Sequence, residues 1–419
     1  MNCPTRLNTL HDRRQIIAGG ASALALALVG SQTVGQALAQ SAVFRIGALN
    51  PITGAGSPYG SGMQKMIQAA AEVVNAAGGA GGRRFEVVAE DSQTNPQAAV
   101  LAAKKLIEVN RVNAIVGTWS SGVSLAVAPL VNDAEIFLFN TSGAPALSGP
   151  PANAKGLLYR FQATNDRFGR AFAEIAVREG YKRPATMAFN NASGIGNTTG
   201  FKRAWEAKGN QVVAEVVYEP NQPSYRSELQ RVLAAKPDVI VMGSFLPDTT
   251  IILREWFQLG ETNKWIIPGW AANPQLITAL GNDATEGLIS VDSVSNETAA
   301  SFAAFDAAHR AAMNQPGASN VYAAMTWDMV MVLALAMEGA GPNASTAAIN
   351  AKIREIANPP GEEVFTFAAA KAAIAAGRKI NYQGASSILD FDQFGDVTPD
   401  FGVFFINKGK LDRRYVVKI

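Results

Sequence analysis

From Val43 onward, short apolar runs of strand period alternate with longer runs of helical period, and no other feature restricts the possible folds as strongly. The run Val43 to Leu49 predicts a strand. After a polar glycine loop, Met63, Met66, Ile67, Ala70 and Val74 recur at helical spacing and predict a helix. The cycle repeats with a strand at Phe85 to Ala89, a helix at Pro96 to Val109, a strand at Val112 to Val116, a helix after Ser121 and a strand at Ile136 to Phe139. Strands separated by helices point to a parallel sheet covered on both faces. A second series begins with the helix Asp166 to Glu179 and carries strands at Ala185 to Asn190, Val212 to Val217, Asp238 to Met242, Trp265 to Pro268 and Gly287 to Asp292. Helices at Asn197 to Lys208, Tyr225 to Ala235 and Asp248 to Leu259 separate these strands. The Ala- and Met-rich helices Ala299 to Met313 and Tyr322 to Glu338 contain no strand and should pack onto a sheet already formed. A chain of 419 residues that is 48% apolar can give each of two α/β domains its own core.

Pockets in parallel sheets lie beyond the carboxyl ends of the strands, where the loops Pro51 to Tyr59, Gly117 to Ser121 and Asn140 to Gly143 fall. The segment Gly117 to Pro129 carries the most chemistry: a strand end, a small polar cluster and a helix start. A cap at Ser120 or Ser121 brings free backbone N–H groups, two hydroxyls and the positive end of the helix dipole to one point. That point suits a carboxylate, although an ordinary capped helix has the same sequence pattern.

At the N-terminus, Arg13-Arg14 precedes a mildly apolar segment ending near Val29, and Ala37-x-Ala39 follows. Residues 1–39 are expected to be a cleaved export signal of the twin-arginine type. Its apolar core is about 14 residues, short of the roughly 18 that suggest a membrane span. Cys3 lies upstream of the arginine pair and not at the cleavage site, so neither a lipid anchor nor insertion of the mature chain is expected. Of the 36 basic and 34 acidic residues, three basic and one acidic fall in this segment, which leaves the remainder formally neutral. Neutrality argues against nucleic acid as a partner.

The glycine clusters do not make a nucleotide site. Gly78 to Gly82 leads into a strand and lacks the Lys-Ser/Thr of a phosphate loop, and Gly194-Ile195-Gly196 lacks the third glycine of the dinucleotide fingerprint. No cofactor is therefore expected. Beyond the signal the chain has one histidine, His309, expected to face solvent from its helix, and no cysteine. There is no paired-histidine metal motif and no G-x-S-x-G elbow, so neither a metal nor an enzyme is expected.

In order and spacing, these residues resemble the periplasmic substrate-binding proteins of ABC importers, in the leucine/isoleucine/valine-binding branch. The resemblance rests on Ile46-Gly47, Pro51-Ile52-Thr53-Gly54, Tyr59-Gly60, Asn75 to Gly79, Glu90-Asp91, Asn95-Pro96, Gly117-x-x-x-Ser121-Gly122, Tyr159-Arg160 with Asp166, Pro237-Asp238-Val239, Glu286-Gly287 and Asp392-x-x-Gly395-Asp396. It implies an α/β fold of two Rossmann-like lobes with parallel sheets, joined by a three-segment hinge near Ala163, Ser293 and Phe401. Lobe 1 would comprise 40–162 and 294–400, and lobe 2 would comprise 163–293 and 401–419. It further implies a small-molecule ligand between the lobes and delivery to ABC permease membrane subunits. A receptor for a membrane signalling protein would use the same cleft.

Carried over by resemblance, Ser121 corresponds to the serine that binds an amino-acid carboxylate, beside Ser120. Thr141, Ser142 and Gly143 match a second carboxylate loop, in which the family threonine falls at Gly143. Tyr59, Trp119, Ser193, Phe245 and Trp270 match lining positions. Where amino-acid binders carry an acidic residue for the ammonium group, this chain has Gly269 or Trp270, with Asp248 and Asp292 as the candidate substitutes. Thr94 and Ser120 occupy the positions of a disulfide found in some members. An ammonium buried without a carboxylate is costly. The expected ligand is therefore a small carboxylate or amide with a flat or apolar body.

Overall fold

The structure is a computed structural model that describes residues 43–419, so the expected signal 1–39 and Cys3 lie outside the described residues. The first sheet is entirely parallel, in the order β2-β1-β3-β4-β5. It is formed by β1 (Val43–Asn50), β2 (Arg84–Asp91), β3 (Ala114–Thr118), β4 (Phe137–Asn140) and β5 (Leu158–Arg160). Between these strands run α1 (Ser57–Ala76), α2 (Pro96–Lys104) and α3 (Ser121–Ala134), and α2 ends in a π turn at Lys105–Val109. Successive strand side chains point to opposite faces. Phe44, Ile46, Ala114, Val116, Phe137 and Phe139 accordingly pack into one core, while Leu49, Ile115 and Leu138 pack into another on the far side.

The second sheet runs β14-β13-β10-β9-β8-β6-β7. Its parallel part comprises β6 (Pro184–Phe189), β7 (Glu215–Tyr218), β8 (Val239–Gly243), β9 (Lys264–Pro268) and β10 (Ile289–Ser293). With these strands go α4 (Asn165–Arg178), α5 (Ala192–Glu206), α6 (Arg226–Ala234), α7 (Leu246–Gln258), α8 (Pro274–Leu280) and the short α9 (Asn282–Thr285). This sheet is not parallel throughout: β13 (Phe401–Asn407) and β14 (Lys410–Val417) join it antiparallel. Only two residues, Lys408 at φ 49° and Gly409 at φ 74°, connect those strands, and so short a link can only reverse the chain.

The helices α10 (Ala300–Met313), α11 (Val321–Ala340), α12 (Thr346–Ala357) and α13 (Phe367–Ala375) follow β10, with a small parallel pair, β11 (Glu362–Val364) and β12 (Ile380–Tyr382), that the helical pattern does not announce. α11 is long and apolar enough to cross a membrane, yet 89% of its most apolar window is buried inside the fold. Its all-round apolar surface marks it as an interior helix. Thr326 Oγ1 donates to Met63 O at 3.1 Å and Asn320 Nδ2 to Tyr59 O at 3.1 Å, which fixes α11 on α1 beside the first sheet. His309 is buried rather than solvent-facing: its Nδ1 lies 3.0 Å from Gln315 O, and its ring meets Phe305. The same packing of the late helices against α1 withdraws it from water.

The chain passes between the sheets after β5, after β10 and before β13. Buried Arg160, at the end of β5, forms an ion pair with Asp396 at 3.2 Å and donates to Ala144 O at 2.8 Å and to Gly143 O at 3.3 Å. One guanidinium thus joins a crossing segment to the loop after β4.

Candidate functional site

The loops after β3 and β4 meet the start of α7 and the loop after β9 around a narrow cavity. Its walls include Trp119, Ser120, Ser121, Thr141 and Gly143 from the first sheet's side, and Phe168, Ser193, Phe245 and Trp270 from the second. Gln162, Asn165 and Tyr322 complete the lining. The two sides touch. Trp119 and Phe245 have ring centroids 5.2 Å apart, and Asn273 Nδ2 donates to Tyr59 Oη at 3.0 Å. The cavity left between them is about 20 Å³, comparable to the space that one buried water needs.

The polar wall is built from helix α3. Ser120 occupies its N-cap position with extended backbone, but its side chain makes no capping bond. The first helical bond back is from Ser124 N to Ser120 O at 3.0 Å, so the N–H groups of Ser121, Gly122 and Val123 have no partner within the helix. Some helices close this gap with a side chain, as Asn95, Thr164, Asn191, Asn273 and Asn320 each accept from their own first turn, whereas α3, like α1, α6, α7, α9 and α10, has no such cap. The end of α3 that faces the cavity is left open, and its first turn holds no acidic residue. An open N-terminus presents donors and positive potential to an anion.

Buried donors converge on the same space. Trp119 and Gln162 line the cavity beside Tyr322, and their Nε1 and Nε2 atoms are both buried without a hydrogen-bond partner. Burying donors unpaired costs about 1–3 kcal/mol each, which an acceptor between the lobes would recover. Gln162 is fixed by its carbonyl oxygen, which accepts from Ala163 N at 2.8 Å and from the Ser293 hydroxyl.

Two expected residues do not reach the cavity. Ser142 is turned inward, bonded to the Ser124 hydroxyl and to Trp119 O at 3.1 Å, so it braces the loop. Tyr59 lies behind the wall, stacked on Trp119 at 5.9 Å and edge-on to Tyr322 at 5.0 Å. Gly143 and Gly269 explain the two departures in the carried-over pattern. A Cβ on Gly143 would lie 1.8 Å from Asn165 Oδ1, so the Asn165 carboxamide fills the room of a side chain there. A Cβ on Gly269 would lie 2.5 Å from Asp292 Oδ2, so the Asp292 carboxylate stands where a residue-269 side chain would begin. Burial pushes the Asp292 carboxyl up to about 7 against the opposing Ser293 N–H, which donates to Oδ1 at 2.8 Å. Burial and the Asp292 charge also hold the Tyr322 and Tyr59 hydroxyls well above their usual range. Asp248 is engaged elsewhere, accepting from Tyr225 Oη at 2.6 Å.

Sequence reasoning did not find Phe168, Asn165, Gln162 or Tyr322. Gln162 and Asn165 lie within the segment Tyr159 to Asp166, whose motif was visible, and Phe168 follows it closely, whereas Tyr322 begins an Ala- and Met-rich helix and carries no local signal. Among the described residues, no group of three or more His, Cys, Asp or Glu side chains is placed to hold a metal ion.

A sequence profile described as "Periplasmic binding protein" matches residues 43–382. The Leu/Ile/Val-binding protein BraC3 of Rhizobium johnstonii is 26% identical over 317 residues, covering 74% of this chain and 83% of its own. A leucine-, isoleucine-, valine-, threonine- and alanine-binding protein of Pseudomonas aeruginosa is 24% identical over 300 residues, covering 71% and 78%. Among solved structures, the leucine-binding protein LivK of Thermotoga maritima superposes with a TM-score of 0.76 at 24% identity, over 90% of this chain and 99% of its own. A solute-binding protein of R. palustris in complex with benzoate superposes with a TM-score of 0.70 at 20% identity, over 90% and 96%. With a two-sheet α/β fold, a cleft closed between the sheets and a profile match that spans most of its length, the chain belongs to the periplasmic binding protein family, in the leucine/isoleucine/valine-binding branch, and is a binding protein rather than an enzyme.

Proposed function

We propose that this protein captures a small carboxylate- or amide-bearing solute with a flat or apolar body in the periplasm and delivers it to an ABC permease. The observation that carries this reading is the uncapped start of α3 at Ser121, facing unpaired buried donors inside an aromatic-walled cavity. The carboxylate would lie on Ser121 and the Gly143 loop. Trp119, Phe245 and Trp270 would select its body. Relatives that bind branched-chain amino acids and a structural neighbour that binds benzoate bracket the chemistry. The first lobe comprises 40–162 and 294–400 and the second 163–293 and 401–419, closing about crossings near Ala163, Ser293 and Phe401. Ligand contacts on both lobes favour the closed state. Residues 1–39 direct export and are removed.

A thermal-shift panel of branched-chain amino acids, amides, dicarboxylates and aromatic acids, on protein refolded free of carried-over ligand, tests the reading. A ligand at about 100 times its Kd adds roughly 2.7 kcal/mol of stability. Tight leucine binding with no response to any aromatic acid would exclude the flat-bodied solute.

A further inference from the structure

The inner cavity holds little more than a water, yet a second chamber of about 220 Å³ adjoins it. Both are lined by Phe245, whose ring forms a common wall. The outer chamber is mixed: Gln93, Thr94 and Asn95 line its first-lobe side beside Gly54 and Ala55, and Asn221 and Asp248 line its second beside Phe189, Pro220 and Pro247.

The first-lobe rim is tied down. Asp91 accepts from Ile52 N at 3.0 Å, Thr53 Oγ1 at 2.6 Å and Gln93 N at 2.7 Å, and Thr94 Oγ1 donates to Thr53 O at 3.0 Å. The second-lobe wall is held more loosely. Phe245 is the N-cap residue of α7, has no side-chain capping bond, and its ring lies tilted against Trp119 and Phe189, with centroids 5.2 Å apart in each case. Its rotation would merge the chambers without breaking a hydrogen bond. At the far end stands Asp248, 4% exposed; Tyr225 Oη and Asn221 N both bond to its Oδ1, and among the described residues no hydrogen bond reaches Oδ2.

We propose that Phe245 is a gate between two subsites, and that the ligand is an elongated carboxylate whose body passes Phe245 and whose far end donates a hydrogen bond to Asp248. This rests on the carboxylate reading above and extends it to the length and far-end chemistry of the solute. The inner space is too small for a body of any length, whereas the outer chamber offers both volume and a free carboxylate oxygen. A hydroxyl or ammonium group there would meet Oδ2.

Calorimetric titration of the full chain with benzoate, 3-phenylpropanoate and 3-(4-hydroxyphenyl)propanoate tests this directly. The two longer acids are expected to bind more tightly than benzoate, and the hydroxylated one about tenfold more tightly than its parent, the value of one hydrogen bond to a charged group. Asp248→Asn keeps an acceptor for Tyr225 and is expected to lower affinity for the hydroxylated acid to that of 3-phenylpropanoate. Phe245→Ala opens the gate and is expected to weaken benzoate by a larger factor than the longer acids, with melting temperatures confirming that both variants fold. Benzoate binding with exclusion of the longer acids would overturn the gate and leave the carboxylate reading intact. Equal effects of Asp248→Asn on all three acids would likewise overturn it. Failure of the protein to bind any of the three would remove the aromatic-acid reading and this one with it.

Discussion

The two walls of the cleft are made of different materials. On the first-sheet side, hydroxyls and backbone N–H groups stand on loops fixed by buried hydrogen bonds: Ser142 to Trp119 O, and Arg160 to Gly143 O and Ala144 O. On the second-sheet side Phe168, Phe245 and Trp270 present rings, and only Trp270 is anchored by a bond at its polar atom, from Nε1 to Ser244 O at 2.9 Å. A charged head group needs donors held in place before it arrives, whereas a body is sorted by contact area and shape. The donors of the first wall should therefore determine whether an anion binds, and the rings of the second wall, with Trp119 across from them, which one.

The largest expected effect comes from breaking the rigid wall. Gly143→Val sets a side chain against Asn165 and should abolish carboxylate binding while lowering stability by about 1–3 kcal/mol, the usual cost of overpacking. Calorimetric titration and denaturant melts would show both effects. Unchanged binding would mean that the Gly143–Asn165 contact does not shape the site.

Ser121→Ala tests the same wall more gently. It removes one hydroxyl and keeps the backbone N–H groups, so affinity for every carboxylate should fall about tenfold to a hundredfold, matching about 1.5–3 kcal/mol for a hydrogen bond to a charge. The fall should be uniform across ligands. A loss confined to one ligand would move selectivity onto the first wall and blur the division.

Trp270→Ala on the second wall should act in the opposite manner. Aromatic contacts beyond area burial amount to about 0.5–1.5 kcal/mol, so binding of aromatic acids should weaken by about threefold to tenfold while short aliphatic carboxylates change little. The ratio of the two affinities is the quantity to measure.

A separate effect concerns pH. The Asp292 carboxyl titrates near about 7 in the folded protein against an ordinary value of 3.8. Between those values the native state binds more protons than the unfolded chain, so this group's contribution to stability falls as pH rises through the window and is level outside it. Buried Asp328, raised to about 6 chiefly by desolvation, acts in the same direction. Melting temperatures of the wild type and Asp292→Asn from about pH 5 to about pH 8 should differ least at the acid end and separate until about pH 7, shifting in the variant's favour as pH rises. An anionic ligand should follow the same trend, binding less well once Asp292 is charged beside Tyr59 and Tyr322.

Much of the first wall was legible in the sequence because its residues are local. Trp119, Ser120 and Ser121 follow directly from a strand that ends at a glycine and a helix that begins without charge, and Thr141 and Gly143 follow the next strand in the same way. The second wall was less legible because its surface is assembled from Phe168, Ser193, Phe245 and Trp270 on four separate segments. Tyr59 and Ser142 illustrate the limit: each stands on a correct loop, but packing turned one behind Trp119 and the other toward Ser124.

By itself the sequence determined the alternation of strands and helices, the parallel core of each sheet and the place where α3 begins, since each depends on period or on nearest neighbours along the chain. Only the tertiary structure decided that Asn165 fills the space at Gly143, that Asp292 fills the space at Gly269, and that His309 is buried. Those outcomes depend on which distant segments are brought within a few ångströms, and a side chain's role is set there by the volume its neighbours leave, which no local pattern encodes.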